Sequence, residues 1–220
     1  MLKSLLKSRA QTGPEEIANS VTHGIGAALS LAGLVILVVN AVKFGTAWHV
    51  VGASIFGASL FFLYLSSCLY HAIHRPAAKR FLQVCDHGFI FVLIAGSYTP
   101  FVLGPIRGEL GWWLFGIIWS LAISGFILKA IFLPRFQRRG ALMYLLMGWL
   151  VVVAAVPLIE NVPKAGLIWL VAGGLAYSFG IVFFVLERVK FFHTVWHFFV
   201  LAGSIAHFFA VFYGVIPQGN

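Results

Sequence analysis

Seven long runs of apolar residues alternate with short polar segments along the chain. A membrane-spanning helix needs roughly 20 mostly apolar residues, and each run has about that length. The pattern therefore predicts an all-α fold, an integral membrane bundle of seven transmembrane helices. The predicted spans are 20–42, 48–70, 82–104, 111–131, 141–160, 166–187 and 194–215. Because the loops between the spans are short, consecutive helices should be antiparallel, and residues 1–220 should form a single membrane domain.

Composition excludes a soluble domain. Apolar residues make up 61% of the 220 residues and charged residues only 10%, whereas soluble domains carry about 25% charged residues. Such a chain cannot cover itself with polar surface. Lipid is therefore its expected solvent, and membrane lipids are its expected partners.

The distribution of basic residues over the loops predicts the orientation. Twelve of the fifteen are assigned to the N-terminal tail or to the loops at the ends of the second, fourth and sixth spans: Lys3, Lys7, Arg9, Arg75, Lys79, Arg80, Lys129, Arg135, Arg138, Arg139, Arg188 and Lys190. The other side has only Lys43, Arg107 and Lys164. The positive-inside rule then places the N-terminus in the cytoplasm and the C-terminus outside. Topology and anionic lipid headgroups explain the net charge of +9 without a nucleic-acid partner.

Five polar residues fall at the predicted cytoplasmic ends of three spans. Ser67 and His71 end the second span, Asp86 begins the third, and His193 and His197 begin the seventh. Residues four apart share one helix face, and the topology places His71, Asp86, His193 and His197 at similar depth. Because ionisable groups inside a membrane are costly, each is a candidate functional residue.

This set of side chains suits a zinc ion. Three protein nitrogens with an open fourth position are typical of catalytic zinc, whereas structural sites use four protein ligands. Asp86 is then either a ligand or the group that holds and deprotonates a water molecule. Ser67 would orient a ligand or bind a developing oxyanion. The alternative is a set of interfacial histidines bonded to backbone or headgroups.

Two further polar features each allow two interpretations. Glu15 and Glu16 after Pro14 are typical of a helix start, but Asn19 and His23 would also reach toward the cytoplasmic cluster. His207 lies ten residues beyond His197, which is roughly 15 Å deeper along a helix. It is either a packing histidine or part of an inner polar pocket.

Taken together, these segments resemble the progestin and adipoQ receptor family, most closely its bacterial hemolysin III branch. The resemblance covers nearly the whole chain and is carried by residues 15–24, Ser67 to His71, Asp86, residues 95–100, and His193 to His197. It implies zinc bound by His71, His193 and His197, with Asp86 contacting the metal through water and Ser67 as the family serine. It also implies a multi-pass protein of the bacterial inner (plasma) membrane.

The resemblance and the residues leave three functional hypotheses. The family is grouped with alkaline ceramidases, which favours a metal-dependent hydrolase acting on a lipid amide or ester. A second hypothesis is a regulator of membrane lipid composition or energetics with structural zinc. The third is a pore-forming cytolysin. It ranks last because a pore needs a continuous polar path, and the outer halves of the spans offer few polar residues. The sequence specifies no oligomeric state.

Overall fold

The computed structural model describes residues 9–219, without the side chains of residues 133–139. Within this part of the chain the regular structure is helical, with no strand. Seven helices are long and apolar enough to cross a membrane, which confirms the all-α, seven-helix prediction. They are α1 (Gly13–Phe44), α2 (Ala47–Ala72), α3 (Pro76–Leu103), α4 (Glu109–Phe132), α5 (Gly140–Asn161), α6 (Lys164–Val185) and α7 (Phe192–Gly214).

The surface of the bundle is apolar, as a lipid environment requires. Ile17, Trp113, Val156 and Ile159 are among many large apolar side chains that lie more than half exposed. A contiguous surface of this kind marks a membrane protein rather than a soluble one.

Two helices begin earlier than the apolar pattern indicates. Helix α1 starts at Gly13 and α3 starts at Pro76, six or more residues before the predicted spans. Each has proline in its first turn, where a fixed φ angle and a missing N–H group suit a helix start. These polar first turns carry Glu15, Glu16 and Lys79, and all three side chains contribute to the site described below.

Helices α4 and α5 are joined by continuous helical backbone rather than by a loop. The helix runs from Glu109 to Trp149, with a kink at Phe132 (φ −119°, ψ 28°). Helix α5 then tightens into a 3₁₀ turn at Leu150–Ala154. The Tyr98 hydroxyl of α3 supports this break, because it accepts the Val151 N–H at 2.6 Å and donates to the Met147 carbonyl at 2.7 Å.

The assignment of Lys129 to a cytoplasmic loop is wrong. Lys129 lies in the last turn of α4 and is fully buried, with its Nζ 3.4 Å from Nδ1 of His87. A hydropathy pattern cannot distinguish a terminal lysine that faces water from one that turns inward. Other residues of the predicted basic side lie outside the described part of the chain, namely Lys3, Lys7 and the side chains of Arg135, Arg138 and Arg139.

Packing places α7 between α1 and α6, while α1 also packs on α2. The α6–α7 contact is a close backbone approach, since a Cβ on Gly166 would lie 2.4 Å from Cα of Gly214. Small residues permit such contacts between membrane helices. At the other end of α7, the Thr194–Asn19 hydrogen bond and the contact between the rings of His71 and His197 place the start of α7 beside the start of α1 and the end of α2. We call this the histidine end of the bundle.

Candidate metal centre

The structure brings His71, His193 and His197 together at the histidine end. His71 ends α2, and the two others lie one turn apart at the start of α7. One ring nitrogen can be taken from each so that all three lie within 4.8 Å of one another. The three rings are buried, with exposures of 2%, 7% and 2%. The three histidines are therefore positioned to bind a metal ion.

Unpartnered nitrogens support this interpretation. Nε2 of His71, Nε2 of His193 and Nδ1 of His197 are buried without a hydrogen-bond partner in the described part of the chain. Leaving one buried polar atom unsatisfied costs about 1–3 kcal/mol, so three in one place call for a common partner. A cation bound by neutral imidazoles would satisfy all of them, and the residues present therefore fit a metal.

Two carboxylates accept hydrogen bonds from two of the histidines, His71 and His193. His71 donates its Nδ1–H to Oε2 of Glu16 at 2.6 Å, and His193 donates its Nδ1–H to Oε2 of Glu187 at 3.3 Å. A carboxylate behind a metal-binding histidine fixes its tautomer, orients the ring and raises its basicity. In both residues this arrangement leaves Nε2 for the metal.

The sequence interpretation missed both carboxylates. Glu16 was assigned to the helix start, although Glu16, Asn19 and His23 recur at three- and four-residue spacing and so share one face of α1. That periodicity was the signal in the sequence that Glu16 faces the histidine cluster together with Asn19 and His23. Glu187 lies in the α6–α7 connection six residues before His193, where no periodic pattern points to a role.

We expect Glu16→Ala to weaken metal binding by about tenfold to a hundredfold, because His71 loses the partner that orients it. The dissociation constant can be measured by competition with a chelating indicator on detergent-purified protein. Ile17→Ala is the matched control, since Ile17 neighbours Glu16 in α1 but is exposed on the surface of the bundle, and its affinity should equal that of wild type. Equal affinity in wild type and Glu16→Ala would show that Glu16 does not support the site.

Asp86 and Ser67 are the two predicted site residues outside the set of three histidines. Asp86 is buried in α3 and lines the same cavity as His193 and His197. It is not part of the close set of ligand atoms found among the described residues. Ser67 is fully buried one turn before His71, and its Oγ has no partner in the described part of the chain. Their catalytic roles stay predictions.

The polar residues at the start of α1 both cap the helix and contact the histidine cluster, which are the two interpretations that the sequence allowed. Glu15 accepts the Thr12 N–H at 2.9 Å and so caps the helix. Further along, Asn19 accepts the Thr194 hydroxyl at 2.6 Å, and the ring of His23 stacks on that of His197 with centroids 3.5 Å apart. Helix α1 therefore forms one wall of the histidine cluster.

A cavity of about 330 Å³ extends from the histidines toward the opposite end of the bundle. Its polar end includes His23, Asp86, His193 and His197, and its far end includes Ile106, Leu114 and Leu158. Most of the lining between them is apolar. His207 belongs to this lining, and neither of its ring nitrogens has a partner in the described part of the chain.

The cavity reaches the lipid-facing surface between α5 and α6. Val152 and Ile159 of α5 and Val171 of α6 line it, yet they are 59%, 68% and 56% exposed. Across this gap, Trp149 donates its Nε1–H to the Ser178 hydroxyl at 3.0 Å. A hydrocarbon chain would therefore have a lateral route from the bilayer into the cavity.

Fold and site together define a class, a seven-helix membrane protein with a buried three-histidine centre. The chain belongs to the haemolysin-III-related family, whose model matches residues 12–208. This confirms the hemolysin III resemblance.

Individual relatives agree with that assignment. Hemolysin-3 of Bacillus cereus is 50% identical over 206 residues, which cover 94% of each chain. The Hemolysin-3 homolog of Bacillus subtilis strain 168 is 47% identical over 199 residues, or 90% of this chain and 93% of the relative. The monocyte to macrophage differentiation factor of Homo sapiens is 28% identical over 174 residues, which cover 74% of this chain and 70% of the relative. No solved structure matches the chain.

Proposed function

We propose that this chain is a zinc-dependent hydrolase of lipid amide or ester bonds in the bacterial inner (plasma) membrane. One observation carries the proposal: two histidines of the buried triad, His193 and His197, lie with Asp86 at the polar end of an apolar cavity that reaches the lipid surface. The predicted orientation places the triad near the cytoplasmic headgroups. A membrane lipid could then enter with its acyl chain in the cavity and its carbonyl group at the histidines.

Zinc is among the metals that the donor set suits. Imidazole suits zinc among several transition metals, and three nitrogens with no fourth protein ligand among the described residues match the catalytic pattern rather than the structural one. This favours a hydrolase over a regulator with structural zinc.

A bound zinc ion would polarise the scissile carbonyl and lower the pKa of a water molecule to about 7. The chain supplies the remaining functions. Asp86 takes a proton from the attacking water, whose oxygen bonds to the carbonyl carbon. Ser67 donates its hydroxyl to the developing oxyanion. As the carbon–nitrogen or carbon–oxygen bond breaks, Asp86 passes the proton to the leaving amine or alcohol, and a fatty acid is the second product.

The rest of the site prepares these groups. Glu16 and Glu187 fix the orientation of His71 and His193, so little reorganisation is needed when the substrate binds. Apolar walls exclude bulk water from the cavity, which strengthens electrostatic interactions inside it. The long apolar lining also selects for an acyl chain.

The test combines metal content with a hydrolysis screen. Detergent-purified wild type, prepared without chelator, should contain about one zinc ion per chain by mass spectrometry. It should also cleave at least one lipid from a panel of N-acyl sphingoid bases and ester phospholipids. Chelation should stop cleavage, and zinc should restore it. A folded wild type without metal, or with metal but no cleavage of either bond type, would refute the proposal.

A further inference from the structure

The residue before α7 has an unusual backbone conformation. Phe191 has φ 64°, and it is the only non-glycine residue with positive φ in the described part of the chain. This left-handed region is unfavourable for a residue with a Cβ, because the Cβ approaches the carbonyl oxygen. Such a conformation persists only where the surroundings hold it.

Glu15 of α1 holds this conformation. The Phe191 N–H donates to Oε1 of Glu15 at 2.7 Å. Glu15 itself is almost completely buried and is anchored by other donors. Its carboxylate accepts the Thr12 N–H at 2.9 Å, the Thr12 hydroxyl at 2.8 Å and the guanidinium of Arg9.

Arg9 extends the anchor to the α6–α7 connection. Its Nε donates to the Arg188 carbonyl at 2.9 Å, and the ion pair with Glu15 raises the pKa of Arg9 above its ordinary value. Glu15 is thus an anchored anion at the start of α7, bonded to Thr12 at the start of α1 and, through Arg9, to the α6–α7 connection.

Phe191 in turn sets the direction of the metal-binding helix. Its carbonyl accepts the Val195 N–H at 2.9 Å and so opens the hydrogen-bond ladder of α7. His193 follows two residues later, and His197 follows one turn after that. A change of backbone conformation at Phe191 would rotate the first turn of α7 and move both histidines relative to His71.

We propose that Glu15 is a positioning residue for the metal centre, acting through the left-handed conformation of Phe191. The inference rests on the proposed function only in taking His71, His193 and His197 as metal ligands. It assigns Glu15 a role beyond helix capping, because the same carboxylate connects α1 to the helix that carries two ligands.

Zinc affinity in detergent, measured by competition with a chelating indicator, tests the proposal. Glu15→Ala should weaken binding by about tenfold, as loss of an outer partner typically does. Adding Phe191→Gly in that background should restore most of the affinity, since glycine adopts positive φ without a Cβ clash. Ile17→Ala is the control, because Ile17 lies in the same part of α1 but is exposed on the surface of the bundle, and its affinity should change little.

Phe191→Val provides a second test that leaves Glu15 intact. A β-branched residue is strongly disfavoured at positive φ, so this variant should also bind zinc more weakly. Phe191 is partly exposed, so the smaller side chain leaves little unfilled space. If Glu15→Ala does not fold, the more conservative Glu15→Gln replaces it, and unchanged affinity in Phe191→Val would still overturn the inference.

The outcomes separate the two proposals. Wild type without zinc would overturn the proposed function. Zinc-binding wild type with unchanged affinity in Glu15→Ala and Phe191→Val would overturn the positioning role alone. A purely stabilising role would lower the melting temperature of the metal-free protein without any restoration of affinity by Phe191→Gly, and that result would also overturn the inference.

Discussion

Replacing both His193 and His197 with alanine should remove bound zinc completely. The double variant keeps only one of the three histidines, His71, whereas zinc sites in proteins use three or four protein ligands. The fold should persist, because the substitution also removes two buried nitrogens that have no protein partner. Mass spectrometry on detergent-purified protein should give about one zinc ion per chain for wild type and none for the variant.

His74→Ala is the matched control for this experiment. His74 lies three residues after His71 at the same end of the bundle, but it is exposed and outside the triad. Its zinc content should equal that of wild type. Zinc retained by the double variant at the wild-type level would show that the metal binds elsewhere.

The same variants separate a hydrolytic centre from structural zinc. A structural ion links α2 to α7, so its loss should sharply reduce the melting temperature and the amount of folded protein. A catalytic centre already held by Glu16 and Glu187 should lose hydrolysis with a smaller change in melting temperature. A severe loss of folded protein would therefore favour the regulator hypothesis.

The features that were predictable from the sequence are those that follow from the length of an apolar run or from the spacing of residues along a helix. Each membrane span is a continuous apolar run, so the seven helices follow from the thickness of the bilayer. The four-residue spacing of His193 and His197 places both on one helix face. Alternating topology then brings His71 to the same end, and the structure places all three histidines together.

Features that depend on side-chain direction were not predictable. Lys129 looked like a loop charge, because a position at the end of an apolar run does not reveal whether the side chain turns inward. Glu187 lies in an irregular connection, where no helical face defines its direction. The 3₁₀ segment of α5 lines the cavity, and it is supported by Tyr98 from another helix. Tertiary contacts of this kind leave no local pattern.

Asp86→Asn should nearly abolish hydrolysis while leaving zinc in place. Asparagine has the shape of aspartate but cannot accept the proton of the attacking water, and loss of a general base typically costs between about a hundredfold and ten-thousandfold. Zinc content should be unchanged, because the close set of ligand atoms does not include Asp86 among the described residues. The measurement is kcat on the lipid that wild type cleaves, with zinc determined in the same samples.

Cys85→Ala is the control for this variant, since Cys85 neighbours Asp86 in sequence but is not part of the described cavity lining. It should retain wild-type turnover.

Leakage of a dye from proteoliposomes, measured on the same preparations, tests the cytolysin hypothesis. A pore would release dye equally in wild type and Asp86→Asn, because conduction needs a continuous polar path rather than a base. Turnover lost with zinc retained and no leakage would identify Asp86 as the base. If zinc were lost together with turnover, Asp86 would be a metal ligand, and the base would have to be sought among the other polar residues of the cavity.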